Sequence, residues 1–265
     1  MSTAFDPRLC TLGERELEGR VIAITGASDG IGRAVALDCA RHGASVVLIG
    51  RRQRKLAAVL DEIEALPGAP RTSTVAVLDL EHALAQDYDR LSAAIGERFG
   101  RLDGLLHNAA LLGTLAPIEH YDVPTWCRVL HVNLTAAFAL TQVLLPALKR
   151  SADACVLFSS SSVGRRGKAY WGAYAVSKFG VEGLTQVLAA ELCDITSIRV
   201  NALNPGPART RMRRQAYPAE DAAQLPEPQA LTRPYLALLG PASRGITGAS
   251  FDAQPLPAAS AAPPG

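Results

Sequence analysis

The stretch Thr25-Gly-Ala-Ser-Asp-Gly-Ile-Gly32 decides the fold. It follows a compact β-branched run, Arg20-Val-Ile-Ala-Ile-Thr25, and opens an amphipathic pattern from Ile31 to His42. A strand feeding a glycine-rich turn and then a helix is the setting in which such a turn binds a dinucleotide. Gly26 permits the tight turn, Gly30 lets the backbone approach an anion, and Gly32 lets helix and strand pack closely. The helix then points its free N–H groups at a pyrophosphate. Ser28, Asp29 and Ile31 complete this expected cofactor-binding turn.

Five further apolar runs succeed the first: Ser45 to Ile49, Thr74 to Leu78, Leu102 to Leu106, Asp153 to Phe158 and Ser197 to Leu203. Continuous runs of this kind fit strands buried on both faces. Helical patterns over about 31–42, 52–65, 82–98, 124–149 and 173–193 lie between them. The alternation predicts one three-layer α/β domain with a doubly wound parallel sheet. Ala249 to Asp252 reads as an edge strand, and the proline-bearing segment 207–230 as a loop or lid. The expected organisation is a loosely held arm over 1–17, the domain over 18–252 and a disordered tail over 253–265.

The chain has 265 residues, 48% hydrophobic and 20% charged, so a large core is available. Its net charge of +2 argues against a nucleic-acid partner. No uninterrupted apolar run reaches the roughly 20 residues of a spanning helix, and the most apolar stretch, Val132 to Leu148, is broken by polar residues and Pro146. No membrane partner is expected. The first twenty residues are too polar for a signal peptide. The five cysteines are scattered, without CxxC or paired histidine ligands, which predicts reduced thiols, no metal and a cytoplasmic protein.

In a dinucleotide fold the end of the second strand reads the adenosine ribose. An acid there bonds a 2′-hydroxyl, whereas arginine accommodates a 2′-phosphate. Here the segment is Gly50-Arg51-Arg52-Gln53-Arg54, and no carboxylate follows until Asp61. Arg51 is the expected chief contact, and NADPH is expected to be preferred over NADH.

Tyr174-Ala-Val-Ser-Lys178 lies in a helical pattern, where the i, i+4 spacing puts both side chains on one face. A free tyrosine ionises near about 10. A neighbouring ammonium stabilises the phenolate and brings it toward neutral pH. The pair follows Ser159-Ser-Ser-Ser162 at the carboxyl end of the fifth strand, the end at which open α/β sheets bind ligands.

As a set, these motifs resemble the short-chain dehydrogenase/reductase family, on a Rossmann-type sheet, over about residues 18–252. Thr25 to Gly32, Asn108, Asn133, the serine–tyrosine–lysine set at 161, 174 and 178, and Pro205-Gly206 occur in the family's order. The stretches Ser159-Ser-Ser-Ser-Val-Gly-Arg-Arg-Gly167, Trp171-Gly-Ala-Tyr174 and Phe251-Asp-Ala-Gln-Pro255 are similar to a bacterial branch of poorly characterised oxidoreductases.

The resemblance implies Tyr174 as acid/base, with Lys178 lowering its pKa and bonding the nicotinamide ribose. The family serine stands thirteen residues before the tyrosine, which selects Ser161 among four candidates. Asn133 would kink its helix and hold a relay water. Asp79, with Leu80 beside it, would bond the adenine, and Asn108 and Ala109 would lie by the adenine ribose. Pro205, Gly206 and Thr210 would line the nicotinamide end, with Thr210 on the carboxamide. A homodimer or homotetramer packing the 124–149 and 173–193 helices is implied in the same way.

Two departures stand out. The family's Asn-Ala-Gly reads Asn108-Ala-Ala110, and Pro207-Ala208 follow Pro205-Gly206 where flexible residues are usual. The expected function is NADP-dependent hydride transfer between nicotinamide and a small carbonyl or alcohol substrate. The alternative is an NADP-binding sensor or regulatory protein on the same fold. A hydrolase is disfavoured, since no G-x-S-x-G elbow is present. Arg209, Arg211, Arg213 and Arg214 near the expected mouth, with Arg165, Arg166 and Lys168 after the serines, read as solvated loop charge or a subunit interface, or else as a site for an anionic substrate.

Overall fold

Seven parallel strands form one sheet in the order β3-β2-β1-β4-β5-β6-β7. They are β1 Val21–Thr25, β2 Ser45–Gly50, β3 Thr74–Val77, β4 Gly104–His107, β5 Cys155–Ser159, β6 Arg199–Asn204 and β7 Ser250–Asp252. The computed structural model describes residues 5–255. The helices are α1 Gly30–Arg41, α2 Gln53–Glu64, α3 Ala85–Phe99, α4 Val123–Leu130, α5 Ala136–Lys149, α6 Gly172–Leu192, α7 Arg211–Ala216 and α8 Thr232–Leu239. The sheet is Rossmann-like, with helices on both faces.

Burial follows position in the sheet. Every residue of β1, β4, β5 and β6 is buried, whereas the edge strands β3 and β7 are mostly half-buried. The two faces of β1 show the period of 2. Ala23 joins a core with Leu91 of α3, Leu140 of α5 and Val181 of α6, while Ile22 and Ile24 join Val35 of α1, Leu56 of α2 and Tyr235 of α8. Strand order reverses between β1 and β4, so their carboxyl ends splay apart and leave a crevice.

Four features differ from the sequence reading. Residues 5–17, expected to be loosely held, pack instead: Leu17 is fully buried, its N–H donates to the His42 carbonyl at 3.0 Å, and Phe5 meets Phe251 edge-on. The domain extends past 252, because the Gln254 amide donates to the carbonyls of Pro205 and Pro207; residues 256–265 of the expected tail lie outside the described residues. Helix α8 was not anticipated. Seven of its eight residues are buried, so it lacks the polar face that marks a helix in sequence. Finally, the 27 residues Val123–Lys149 are long and apolar enough, by length and composition, to cross a membrane. In the fold α5 packs against α3, and α4 against α6, with Leu140 and Leu144 in the core.

Candidate active site

The crevice holds a cavity of about 330 Å³. Gly26, Ser28, Asp29, Gly30 and Ile31 line it at one end, with Arg51, Asp79 and Leu80 beyond them. Asn108 and Ala109 line its middle, and Tyr174, Lys178, Pro205 and Thr210 the other end. Residues from six strand ends, β1 to β6, and from α6 thus converge, although 184 positions separate Gly26 from Thr210 in the chain.

The glycine turn is sterically determined. Gly26 and Gly30 take φ of +66° and +53°, a region that favours glycine. A Cβ at Gly26 would crowd the Ala109 backbone and the Asn108 amide at 3.0–3.1 Å. Gly32 lies beneath the turn, outside the cavity lining, where a Cβ would overlap the Gly26 carbonyl and the Asn108 amide. Asp29 caps α1 by accepting from Gly30 N–H at 2.9 Å. Across the cleft, Thr210 caps α7, its hydroxyl accepting from Arg213 N–H at 3.2 Å while its methyl faces Gly30.

At the β2 end, tertiary structure supplies acids that the local sequence lacks. Glu81 lines the cavity and pairs with Arg51 at 3.4 Å and with Arg128 at 3.6 Å. Asp29 lies 3.9 Å from Arg52 and 3.7 Å from Lys55. Glu81 was missed because its proximity to Arg51 arises from β2 pairing with β3. Asp79 accepts from Glu81 N–H at 3.1 Å, which fixes the turn after β3.

At the reacting end, Tyr174 and Lys178 are buried on α6. Lys178 Nζ donates to the Ser159 carbonyl at 2.6 Å and stands 5.6 Å from the Tyr174 ring centre. The four serines separate by their contacts. Ser159 Oγ bonds Tyr235 Oη at 3.2 Å, Ser160 Oγ donates to Glu182, and Ser162 is exposed. Ser161 lies beside the Tyr174 phenol and pulls its pKa down. Burial is the larger influence, however, and pushes Tyr174 up to about 12. Burial is likewise the larger influence on Lys178 and brings it down to about 8, opposed by the charge of Glu182.

Asn133 sits in a π turn, His131–Thr135, between α4 and α5, so the helix is indeed disturbed there. Its Oδ1 accepts from Leu111 N–H at 2.7 Å. Its Nδ2 donates to the Leu111 carbonyl at 2.9 Å and to Ser177 Oγ at 3.0 Å. Both amide hydrogens are spent, so the side chain clamps the loop after β4, and any water held by Asn133 would have to donate to one of its oxygens. Gly206, at φ +71°, turns the chain after β6 next to Gln254.

The arginine cluster divides. Arg209 pairs with Glu227 and Arg213 with Glu220, whereas Arg211 lines the cavity and, among the described residues, forms no ion pair. Lys168 bonds Tyr217 Oη at 2.7 Å and lies over the Trp171 ring, so the loop before α6 is pinned to α7.

The family model for short chain dehydrogenases matches residues 20–221. The chain belongs to this family. It is an oxidoreductase, related to the uncharacterized oxidoreductase YciK of Escherichia coli K12 at 46% identity, over 90% of this chain and 93% of that protein. A short chain dehydrogenase from Pseudomonas syringae superimposes with a TM-score of 0.90 at 50% identity, covering 92% of this chain and 98% of the other. A short chain dehydrogenase from Shigella flexneri, complexed with NADP, does so with a TM-score of 0.88 at 45% identity, covering 92% and 100%. In this family member, Ala110 lines the cavity and the Pro207 carbonyl is held by Gln254, so both departures are built into the site.

Proposed function

We propose that this chain is an NADP(H)-dependent carbonyl reductase or alcohol dehydrogenase in which Tyr174 exchanges the proton. The observation that carries it is the meeting of Tyr174 and Lys178, with Ser161 beside the phenol, at one end of a cleft whose other end is the Gly26–Ile31 turn. The cofactor fits this chain's own residues. The turn leaves no room for a Cβ, the N-terminus of α1 faces the cleft, and Arg51 stands where a 2′-phosphate would be recognised. The related Shigella protein complexed with NADP supports the same choice.

When bound, the nicotinamide supplies or accepts the hydride. Ser161 donates to the carbonyl oxygen and orients it. Tyr174 gives that oxygen its proton in reduction and removes it in oxidation. Lys178, held by the Ser159 carbonyl, presents positive charge beside the phenol and favours phenolate once the proton has left. Asp79 and Asn108 serve the adenosine end, and Thr210 the carboxamide.

Arg211, which lines the cavity and has no ion pair among the described residues, supports a substrate with negative charge remote from its carbonyl. Phe138 on α5 and Val176, Phe179 and Val187 on α6 are exposed apolar residues, which supports a homodimer or homotetramer built on these helices. Light scattering tests the assembly. The function is tested by NADPH oxidation against a panel of ketones and quinones, with Tyr174→Phe as control. Turnover lost in Tyr174→Phe is the expected result; NADPH binding with no turnover across the panel would favour the sensor reading.

A further inference from the structure

Glu182 lies on α6 two turns beyond Tyr174 and one beyond Lys178, so the three share a helix face. It is only 8% exposed. A carboxylate buried to that degree needs strong partners. Its Oε1 accepts from Ser160 Oγ, from Ser250 Oγ at 2.9 Å and from Arg165 Nε at 3.2 Å. These donors come from the turn after β5, from β7 and from Arg165, which closes the short 3₁₀ turn Ser162–Gly164. Arg165 continues the network: Nη1 donates to both Asp252 oxygens at 3.0 and 2.9 Å, and Nη2 to the Phe251 carbonyl at 2.6 Å. Asp252 in turn accepts from Asn204 Nδ2 at 2.8 Å. One carboxylate therefore fastens the serine turn, the reacting helix and the last strand together.

We propose that Glu182 is a positioning residue of the reacting site: it locks the Ser160–Ser161 turn to α6 and places a negative charge one turn from Lys178. This rests on the reading of Tyr174 and Lys178 as the reacting pair. Ser160 becomes the tether that leaves its neighbour Ser161 facing Tyr174. The charge of Glu182 counters the burial that disfavours the Lys178 ammonium. Arg165 shares that charge. The other groups facing Lys178 are Tyr174 on the same helix, His107 on β4 and the Ser159 carbonyl on β5. His107 is kept neutral by burial, at about 3, so it adds no charge near neutral pH.

Two substitutions should act in opposite directions. Glu182→Gln removes the anion, so the Lys178 ammonium loses its proton at lower pH. Arg165→Gln leaves Glu182 unshared, so Lys178 holds its proton to higher pH. The chain has four lysines, Lys55, Lys149, Lys168 and Lys178, which makes titration of ¹³Cε-lysine signals by NMR readable in the cofactor-free protein. The expected shifts of the Lys178 midpoint are about half a pH unit or more, downward for Glu182→Gln and upward for Arg165→Gln. Glu182→Asp, which keeps the charge, should return the midpoint toward wild type. The high-pH limb of kcat/KM for carbonyl reduction should move with the midpoint in each variant. Midpoints that stay fixed, or that move the same way in both Gln variants, would overturn the proposal. If Glu182→Gln does not fold, the upward shift in Arg165→Gln decides alone, and its absence is the overturning result. A chain that reduces no carbonyl would sink the proposed function, while the lysine titration would still read the action of Glu182.

Discussion

Lys178 Nζ donates to the Ser159 carbonyl at 2.6 Å, tying the reacting helix to the carboxyl end of β5. The bond places a cation beside the Tyr174 ring in a buried setting, where its charged form is costly. A site held in this way gives up stability for chemistry.

That cost is measurable. Lys178 ionises at about 8 in the fold, below its ordinary 10.5, so the unfolded chain holds this proton more tightly. The penalty is complete well below pH 8 and fades as pH rises from about 8 to 10.5. Lys178→Met removes it but leaves the Ser159 carbonyl without its donor. We expect a net gain on the order of 1–2 kcal/mol in unfolding free energy at pH 7. Carbonyl reduction should fall at least roughly 100-fold. Urea unfolding at pH 7 and pH 10 checks this: the gain should shrink at the higher pH, and a gain independent of pH would refute the assignment.

Cofactor choice should rest on Arg51, whose guanidinium is half exposed and only loosely paired with Glu81 at 3.4 Å. Arg51→Ala should raise KM for NADPH about tenfold or more and leave that for NADH within about twofold. Glu81→Gln frees the arginine and should lower KM for NADPH a few-fold, roughly the effect of one exposed charge. Steady-state kinetics with both cofactors decides, and equal losses for the two in Arg51→Ala would exclude 2′-phosphate recognition.

Gly32→Ala should damage fold and site together. Its Cβ would overlap the Gly26 carbonyl, which is backbone and cannot swing aside. A loss of about 1–3 kcal/mol is expected, with weaker NADPH binding because Gly26 and Asn108 must shift. Thermal unfolding and NADPH fluorescence titration read the two effects. An unchanged Tm would show that the turn is more pliant than the packing implies.

The arginines at the mouth separate substrate binding from chemistry. Arg209 and Arg213 are spent on Glu227 and Glu220 and should matter to the lid's stability. Arg211→Glu combined with Arg214→Glu should raise KM for an anionic carbonyl substrate about tenfold, with kcat within twofold. Neutral ketones should be unaffected. A KM for the anionic substrate equal to that of wild type would remove the case for a charged substrate.

Much of the cleft was legible because its signals are local. The glycine turn needs only the φ values of Gly26 and Gly30 and the close packing of Gly32. The Tyr174–Lys178 pair needs only helical spacing. Helix α8 was hidden because it is buried all round, and the packed segment 5–17 because its anchor is the single fully buried Leu17. Gln254 reads as part of a tail in sequence, since nothing nearby in the chain shows that its amide reaches Pro205 and Pro207.

The order of strands and helices, the phosphate-type turn and the spacing of the reacting pair were determined by the sequence itself, since each depends on residues within a turn or two of one another. Tertiary structure alone decided the electrostatics. Glu81 reaches Arg51 because β3 lies beside β2. Glu182 reaches Ser160 and Arg165 because α6 packs across the turn after β5. Tyr174 stands near 12, and Lys178 near 8, because the assembled fold withholds water from both. Charge and burial act through space, and spatial neighbours are set only when the sheet has closed around them.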